Sequence, residues 1–544
     1  MKDQGRARRG AGPIQDPGYR FKDGHHEPAS WILSPVSCVL DPESPRPARL
    51  RLPLTSRAWH PSGMRIPEHG LSSDEIFNRL EAFREHDVDW RSGRTWAYVY
   101  DPGKEADAVI KRAFSMYLSE NALDPTAFPS MLRLEQALVG MAAAHLNGTP
   151  GVVGNFTSGG TESIILAVKT ARDHARTHRP TVGRAEVLLP TTAHAAFHKA
   201  CHYLDVKPVL VDVDPTTFKA DVDAMRRAIT PDTVLLVGSA VSYAHGVVDP
   251  IPELGALAQE HGLLLHVDGC MGGFLLPYFR RLGVDVPPFD FSVPGVTSMS
   301  MDFHKYAFAA KGASVILHRD KELRRHQIYN CGQWTGYSVV NPTVQSSKSG
   351  GPLAAAWAVL HFFGDEGYLA LARQALEATQ KLVTAIDAIP DLRVLGRPQM
   401  NLIAFTSDTV NVFHIIDEMK LRGWYIQPQL GFRGSKENIH LSVNPASARW
   451  VEPFLEDLRA CTAIAKTLPS GAIAAGIREA FAEVKPEDVT PEMLGQMLAM
   501  AGAGGDALPG RMAEVNEVLN ALPAALTERL LTEYMNLLHV PPKE

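Results

Sequence analysis

The sequence predicts an α/β fold, a mostly parallel central sheet with helices on both faces, followed by a smaller α+β domain. Two observations carry that prediction. Beyond Asn147, short runs rich in β-branched residues alternate with helical patterns, and the runs are apolar throughout, as strands covered on both faces are. From about Gly364, a long helical pattern leads into short strand-like runs around one further helix.

The expected strands are EVLLP (186–190), PVLVDVD (208–214), TVLLVGSA (233–240), LLLHVDG (263–269) and ASVILH (313–318). Helices such as VDAMRRAI and PELGALAQEH lie between them. Ahead of the sheet, LSSDEIFNRLEAFR (71–84) opens on Ser72 or Ser73 with acids behind, then spaces Ile76, Leu80 and Phe83 at helical intervals. Two more amphipathic stretches cover 108–121 and 131–147. The later domain reads as a helix over 368–389, then NLIAFTS, VFHIIDEMKLRG, WYIQPQ and IHLSVNP, a β-α-β-β unit. The expected organisation is therefore a lead-in over 1–63, an N-terminal helical segment over 64–120 and a large domain over 121–363. A small α+β domain over 364–467 and a helical extension over 468–544 complete it.

Composition narrows the function. The chain has 544 residues, 45% of them hydrophobic, enough for a large core. A formal charge of −6 without a dominant basic patch argues against nucleic acid as a partner. Cys38, Cys201, Cys270, Cys331 and Cys461 are odd in number and scattered, with neither a disulfide framework nor a CxxC pair, which favours a reducing cytoplasm. No apolar run approaches the roughly 20 residues that span a bilayer. The basic N-terminus lacks an apolar stretch behind it, so it does not read as a secretory signal. Residues 1–63 show no periodicity and read as disordered, or translation begins at Met64.

Three constellations carry chemistry. In GNFTSGGTESIILAVKTAR (154–172), Ser158, Gly159, Gly160 and Thr161 run into an apolar-faced helix, whose free N–H groups favour an anion. A plain helix cap after a tight turn would look the same. In LLLHVDGCMGGF (263–274), Asp268 ends an apolar strand at the edge where open α/β sheets bind ligands, and an ionised carboxylate there needs donors or a cation. Capping of the next turn is the alternative. In SMDFHKYAFAAKG (300–312), Lys305 follows His304 among Phe303, Tyr306, Ala307 and Phe308. Apolar surroundings push a lysine's pKa down and free its amine to attack a carbonyl. In this chain order the three describe a pyridoxal-5′-phosphate (PLP) site: an anion hole, a partner for the pyridine nitrogen and a Schiff-base lysine. His194 and His198, at i and i+4, have the spacing of a metal pair but no third ligand, so no metal is expected.

The chain resembles the sphingosine-1-phosphate lyases, within the group II PLP-dependent decarboxylases of fold type I. The residues that carry the resemblance are TSGGTESI (157–164), TAHAAFHKA (192–200), VGSAVSYAHGVVDPIPE (237–253), HVDGCMGGFLLP (266–277), VPGVTSMSMDFHKY (293–306), KGASVILHRDKELR (311–324) and the WTGY…NPT segment (334–343). The resemblance implies the PLP-dependent transferase fold, with Lys305 as the Schiff-base lysine and His304 helping with the phosphate. It implies Asp268 on the ring nitrogen, His194 stacked on the ring, and Ser158, Gly159, Gly160 and Thr161 on the phosphate. Ser347 is similar to a serine that reaches the phosphate from a neighbouring subunit. Tyr100, Asn121, Tyr243 and Lys311 match positions lining the substrate. The resemblance further implies a homodimer with shared active sites, and a role in sphingolipid metabolism.

The implied reaction breaks a Cα–Cβ bond to give a long-chain aldehyde and phosphoethanolamine. An amino-acid decarboxylase could use the same cofactor site, and a PLP-retaining protein without turnover is the third reading. The sequence departs from the family pattern around the substrate. Leu123-Asp124-Pro125 stands for Leu-His-Pro, exchanging a cation for an anion where a substrate phosphate is expected. Phe303 stands for Thr, Ala307 for Gly, Ala310 for Pro, Gly269 for Ala, and Ser346-Ser347-Lys348-Ser349-Gly350 for Gly-Ser-Arg-Pro-Gly.

Overall fold

A computed structural model of the chain describes residues 66–471, 475, 476, 479, 493 and 510–541. All of them lie within one compact unit, Leu50–Glu544. The expected lead-in over 1–63 falls outside the described residues, as does much of 468–544.

The large sheet has seven strands: β1 (Val153–Thr157), β2 (Glu186–Pro190), β3 (Lys207–Val211), β4 (Thr233–Ser239), β5 (Leu264–Asp268), β6 (Ser298–Asp302) and β7 (Ser314–His318). Their order is β1-β7-β6-β5-β4-β2-β3. Only β7 runs antiparallel to its neighbours; the remaining pairings are parallel. β2, β4 and β7 are buried along their whole length, as apolar runs in a doubly covered sheet must be. Such sheets bind ligands beyond the carboxyl ends of their parallel strands. Ser158 follows β1, His194 follows β2, Tyr243 follows β4, and Asp268 and Asp302 end β5 and β6.

Two strands of this sheet go beyond the sequence expectation. β1 carries glycine and asparagine, and β6 reads Ser-Met-Ser-Met-Asp, an alternation that suggests an exposed strand face. Every residue of β6 is nevertheless buried. Its polar side chains meet protein partners: Ser298 and Ser300 hydrogen-bond to residues of β5, and Asp302 pairs with Lys305. The 208–214 run stops as a strand at Val211, because Asp214 folds back to accept Thr216 and Thr217 N–H groups. The helix expected over 108–121 runs Lys104–Met116, starting after Gly103 and ending where Tyr117 leaves helical geometry.

A hairpin of β8 (Tyr329–Cys331) and β9 (Val339–Asn341) stands apart from the sheet. The helix Gly350–Asp387 bends at Gly364, whose φ is +58°. It leads to an antiparallel sheet of β10 (Arg393–Val394), β11 (Leu402–Thr406), β12 (Gln427–Gln429) and β13 (Asn438–Ser442), ordered β10-β11-β13-β12. The N-terminal segment joins this part: Trp96 stacks on Phe454 at 4.3 Å and Thr95 bridges Tyr425. Towards the C-terminus, Asp417 accepts the N–H groups of Met512 and Ala513, both at 2.9 Å, capping the helix Ala513–Ala521.

Candidate active site

Lys305 lies just past β6, and its Nζ is 2.9 Å from Asp302 Oδ2. Burial favours the neutral amine, as the sequence reading expects. The Asp302 carboxylate opposes it through charge and hydrogen bond, and together with Cys270 and Tyr100 it holds Lys305 above its ordinary value. The expected depression is therefore corrected to a rise. An apolar neighbourhood was legible in the sequence; the acid three residues upstream decides the sign. Asp302 responds in kind: burial pushes its carboxyl up, but Lys305 and His304 hold it below its usual range. Its Oδ1 has no hydrogen-bond partner among the described residues.

Asp268 is 6% exposed. Its Oδ1 accepts the Cys270 N–H at 3.0 Å and the Ser300 hydroxyl at 3.1 Å, and Oδ2 takes no hydrogen bond from the described residues. Gly159 has φ +153° and precedes the helix Gly160–His178. A Cβ on Gly160 would lie 2.7 Å from Cys270 Sγ and 3.0 Å from the Asp302 carboxylate, so that approach needs glycine. The Glu162 carboxylate binds the Ser158 N–H at 2.6 Å through one oxygen. Through the other it binds the N–H groups of Val344 and Gln345, at 2.7 and 3.1 Å.

The remaining residues divide into two groups. His304 accepts the Ala313 N–H at 3.2 Å and sits 3.6 Å from Asp302, with burial lowering its pKa. Lys311 reaches the carbonyls of Tyr98 and His304, at 3.3 and 3.5 Å, and lies over the Tyr100 ring at 4.8 Å. Tyr100 meets Tyr306 edge to face at 4.9 Å. Tyr243 donates to Gln427 at 2.5 Å, stacks on His440 at 4.4 Å and faces His194 at 6.5 Å. His194, exposed after β2, takes the Ala196 N–H at 3.1 Å. His304, Tyr100, Tyr243 and Lys311 lie close enough to feel the Lys305 charge, and His194 joins them through Tyr243.

Asn121, Ser347 and Asp124 make no hydrogen bond or ion pair with that group among the described residues. Asn121 bridges Ser349 and accepts the Leu123 N–H at 3.1 Å. Ser347 is exposed on its loop and makes no hydrogen bond to the Lys305 group. Buried Lys348 pins that loop, pairing with Glu135 at 2.8 Å and donating to the Phe156 carbonyl at 3.0 Å. Asp124 is exposed, bound to the Thr126 N–H and hydroxyl at 2.8 and 2.6 Å. It lines a cleft of about 1090 Å³ between 122–125 and the hairpin residues 337–342, whose lining does not include Lys305.

Sequence reasoning missed Asp302, Glu162, Gln427 and the Glu135–Lys348 pair. Only Asp302 left a signal, the polar positions of Ser-Met-Ser-Met-Asp.

The donor set matches PLP: an amine, a carboxylate with one oxygen to spare, and a glycine-opened helix start, all at the carboxyl edge of one sheet. Fold and site thus define a PLP-dependent enzyme of fold type I. Two family models match, the pyridoxal-dependent decarboxylase conserved domain over residues 62–408 and the pyridoxal-dependent enzyme C-terminal putative HTH domain over 475–537. The chain belongs to the pyridoxal-dependent decarboxylase family and, within it, to the sphingosine-1-phosphate lyases. It is 40% identical over 419 residues to the sphingosine-1-phosphate lyase of Oryza sativa, covering 76% of each chain. It is 38% identical over 395 residues to that of Dictyostelium discoideum, covering 72% of this chain and 73% of the relative. Among solved structures, the Burkholderia pseudomallei sphingosine-1-phosphate lyase matches with a TM-score of 0.71 at 36% identity, over 77% of this chain and 96% of that one.

Proposed function

We propose that the chain is a PLP-dependent carbon–carbon lyase that cleaves a phosphorylated long-chain amino alcohol, or a close relative of one, into a long-chain aldehyde and phosphoethanolamine. The observation that carries this reading is the gathering of Lys305, Asp302, Asp268 and His194 at one sheet edge, in a chain so similar to lyases of that name. Bound PLP supplies an electron sink for the pair left on the substrate carbon when its bond breaks. In this reading Lys305 holds the cofactor's aldehyde carbon, and Asp268 Oδ2 holds the proton on its ring nitrogen. Gly159, Gly160, Thr161 and His304 bind the phosphate with the Ser158 side chain, the Ser158 N–H being taken by Glu162. His194 covers one ring face, and Tyr100 and Tyr243 border the substrate.

Lys311 supplies the base. Burial and the nearby Lys305 charge push its pKa down to about 8, so part of its amine is neutral near physiological pH and can take the substrate's hydroxyl proton. In Lys311→Arg, kcat is expected to fall by roughly 10²- to 10⁴-fold. The rise in kcat as pH climbs through about 8 should disappear with it, which a pH–rate profile checks.

A second copy of the chain completes the site in this reading. Asn121, Ser347 and Asp124 make no hydrogen bond to their own Lys305 among the described residues; Asp124 shares a cleft with Tyr337 and Val340 of the hairpin, and Tyr329, Trp334 and Val344 are exposed as well. An apolar hairpin beside polar residues suits a partner subunit. Thr126 hydrogen bonds hold the Asp124 carboxyl below its usual range, so it is an anion at neutral pH. Asp124→His should lower KM for phosphorylated substrates by about 5- to 10-fold, and leave unphosphorylated amines unchanged. Among the described residues no helix is long and apolar enough to cross a membrane, and we assign the protein to the cytoplasm.

The deciding experiment incubates the PLP-loaded protein with phosphorylated sphingoid bases and with a panel of amino acids, assaying aldehyde and carbon dioxide together. Aldehyde supports the lyase. Carbon dioxide without aldehyde makes it an amino-acid decarboxylase, and neither product from a yellow protein makes it a PLP carrier without turnover.

A further inference from the structure

Four polar side chains lie in a row beneath the site, on two facing strands whose intervening positions, Val267, Met299 and Met301, are apolar. In the parallel register of β5 and β6, His266 stands opposite Ser298, and Asp268 opposite Ser300. The two-residue period puts all four on one face. None is more than 6% exposed, and His266 and Ser300 are fully buried. Their hydrogen bonds run in series. Ser298 Oγ is 2.9 Å from His266 Nδ1, His266 Nε2 is 3.3 Å from Ser300 Oγ, and Ser300 Oγ is 3.1 Å from Asp268 Oδ1.

The direction of that series follows from counting protons. Burial pushes the His266 pKa down to about 4, so the ring is neutral and carries one N–H. An ionised Asp268 can only accept, so the single Ser300 proton goes to it. The Ser300 oxygen then accepts from His266 Nε2–H, which leaves Nδ1 as the acceptor for the Ser298 hydroxyl. Each donor points towards the carboxylate, and such chains reinforce themselves. The opposite polarity requires a protonated Asp268 and the other His266 tautomer together.

We propose that Ser298, His266 and Ser300 form a hydrogen-bond relay that positions Asp268 and holds its carboxylate as an acceptor, so that its free oxygen keeps the cofactor's ring nitrogen protonated. His266 and Ser300 are positioning residues in this scheme; neither meets substrate. The relay rests on the PLP reading of Asp268.

The test uses apoprotein titrated with PLP, and holoenzyme reconstituted with PLP carrying ¹⁵N in the ring. Ser300→Ala should weaken PLP binding by roughly 10- to 100-fold, the range for losing a hydrogen bond to a charged group. The ¹⁵N resonance should move towards the unprotonated position, with kcat reduced and substrate KM within about 2-fold of wild type. Ser300→Thr, which keeps the hydroxyl, should restore all three. Ser298→Ala, one link further out, should shift the same readouts in the same direction but less, and it serves if Ser300→Ala fails to fold. A folded Ser300→Ala, or in its place Ser298→Ala, with unchanged PLP affinity and ¹⁵N shift would overturn the relay. Wild-type protein that took up no PLP would overturn the cofactor reading beneath it.

Discussion

Lys305→Ala protein will be colourless after incubation with PLP, and its turnover will fall by on the order of 10⁴-fold or more. The amine is the nucleophile for the cofactor's aldehyde, and the described site offers no equivalent replacement. Lys311 is the nearest alternative, but it is held over the Tyr100 ring and against the Tyr98 and His304 carbonyls. Absorbance spectra and product assays on the purified variant check both halves. Retention of the visible band would mean that another side chain holds the cofactor.

In Asp302→Asn, PLP capture by the apoprotein at pH 7 should accelerate by about 10-fold or more. The carboxylate 2.9 Å from Nζ raises the lysine's pKa against the effect of burial, and only the neutral amine attacks an aldehyde. Removing the charge takes away the foremost of the effects that oppose burial, so the amine becomes neutral at lower pH. Folding survives because the lysine can shed its proton instead of remaining an unpaired buried charge. Stopped-flow absorbance across pH reads the midpoint of capture, which moves down by at least about one pH unit. An unmoved midpoint would mean that Asp302 does not govern the amine.

The strands that can be read from the sequence are the ones built almost wholly of apolar residues. Glu186–Pro190 was placed to the residue because every position is buried and its run is bounded on both sides. β6 was missed because a buried polar face imitates an exposed one, and only the partners on β5 tell them apart. The site behaves in the same way. Lys305, Asp268 and the glycines announce themselves through local pattern, whereas the effect of Asp302 depends on where a three-residue turn carries an ammonium group. Asn121 and Ser347 match family positions but make no hydrogen bond to Lys305 among the described residues, which linear order cannot reveal.

Glu162 gives its two oxygens to two different masters: one to the first residue of the glycine turn, the other to the segment leading to Ser347. If docking of a second chain orders that segment, the same carboxylate transmits the order to the turn, and by reciprocity a filled turn favours docking. Coenzyme retention and quaternary assembly would then be one equilibrium, and dilution alone would loosen the vitamin.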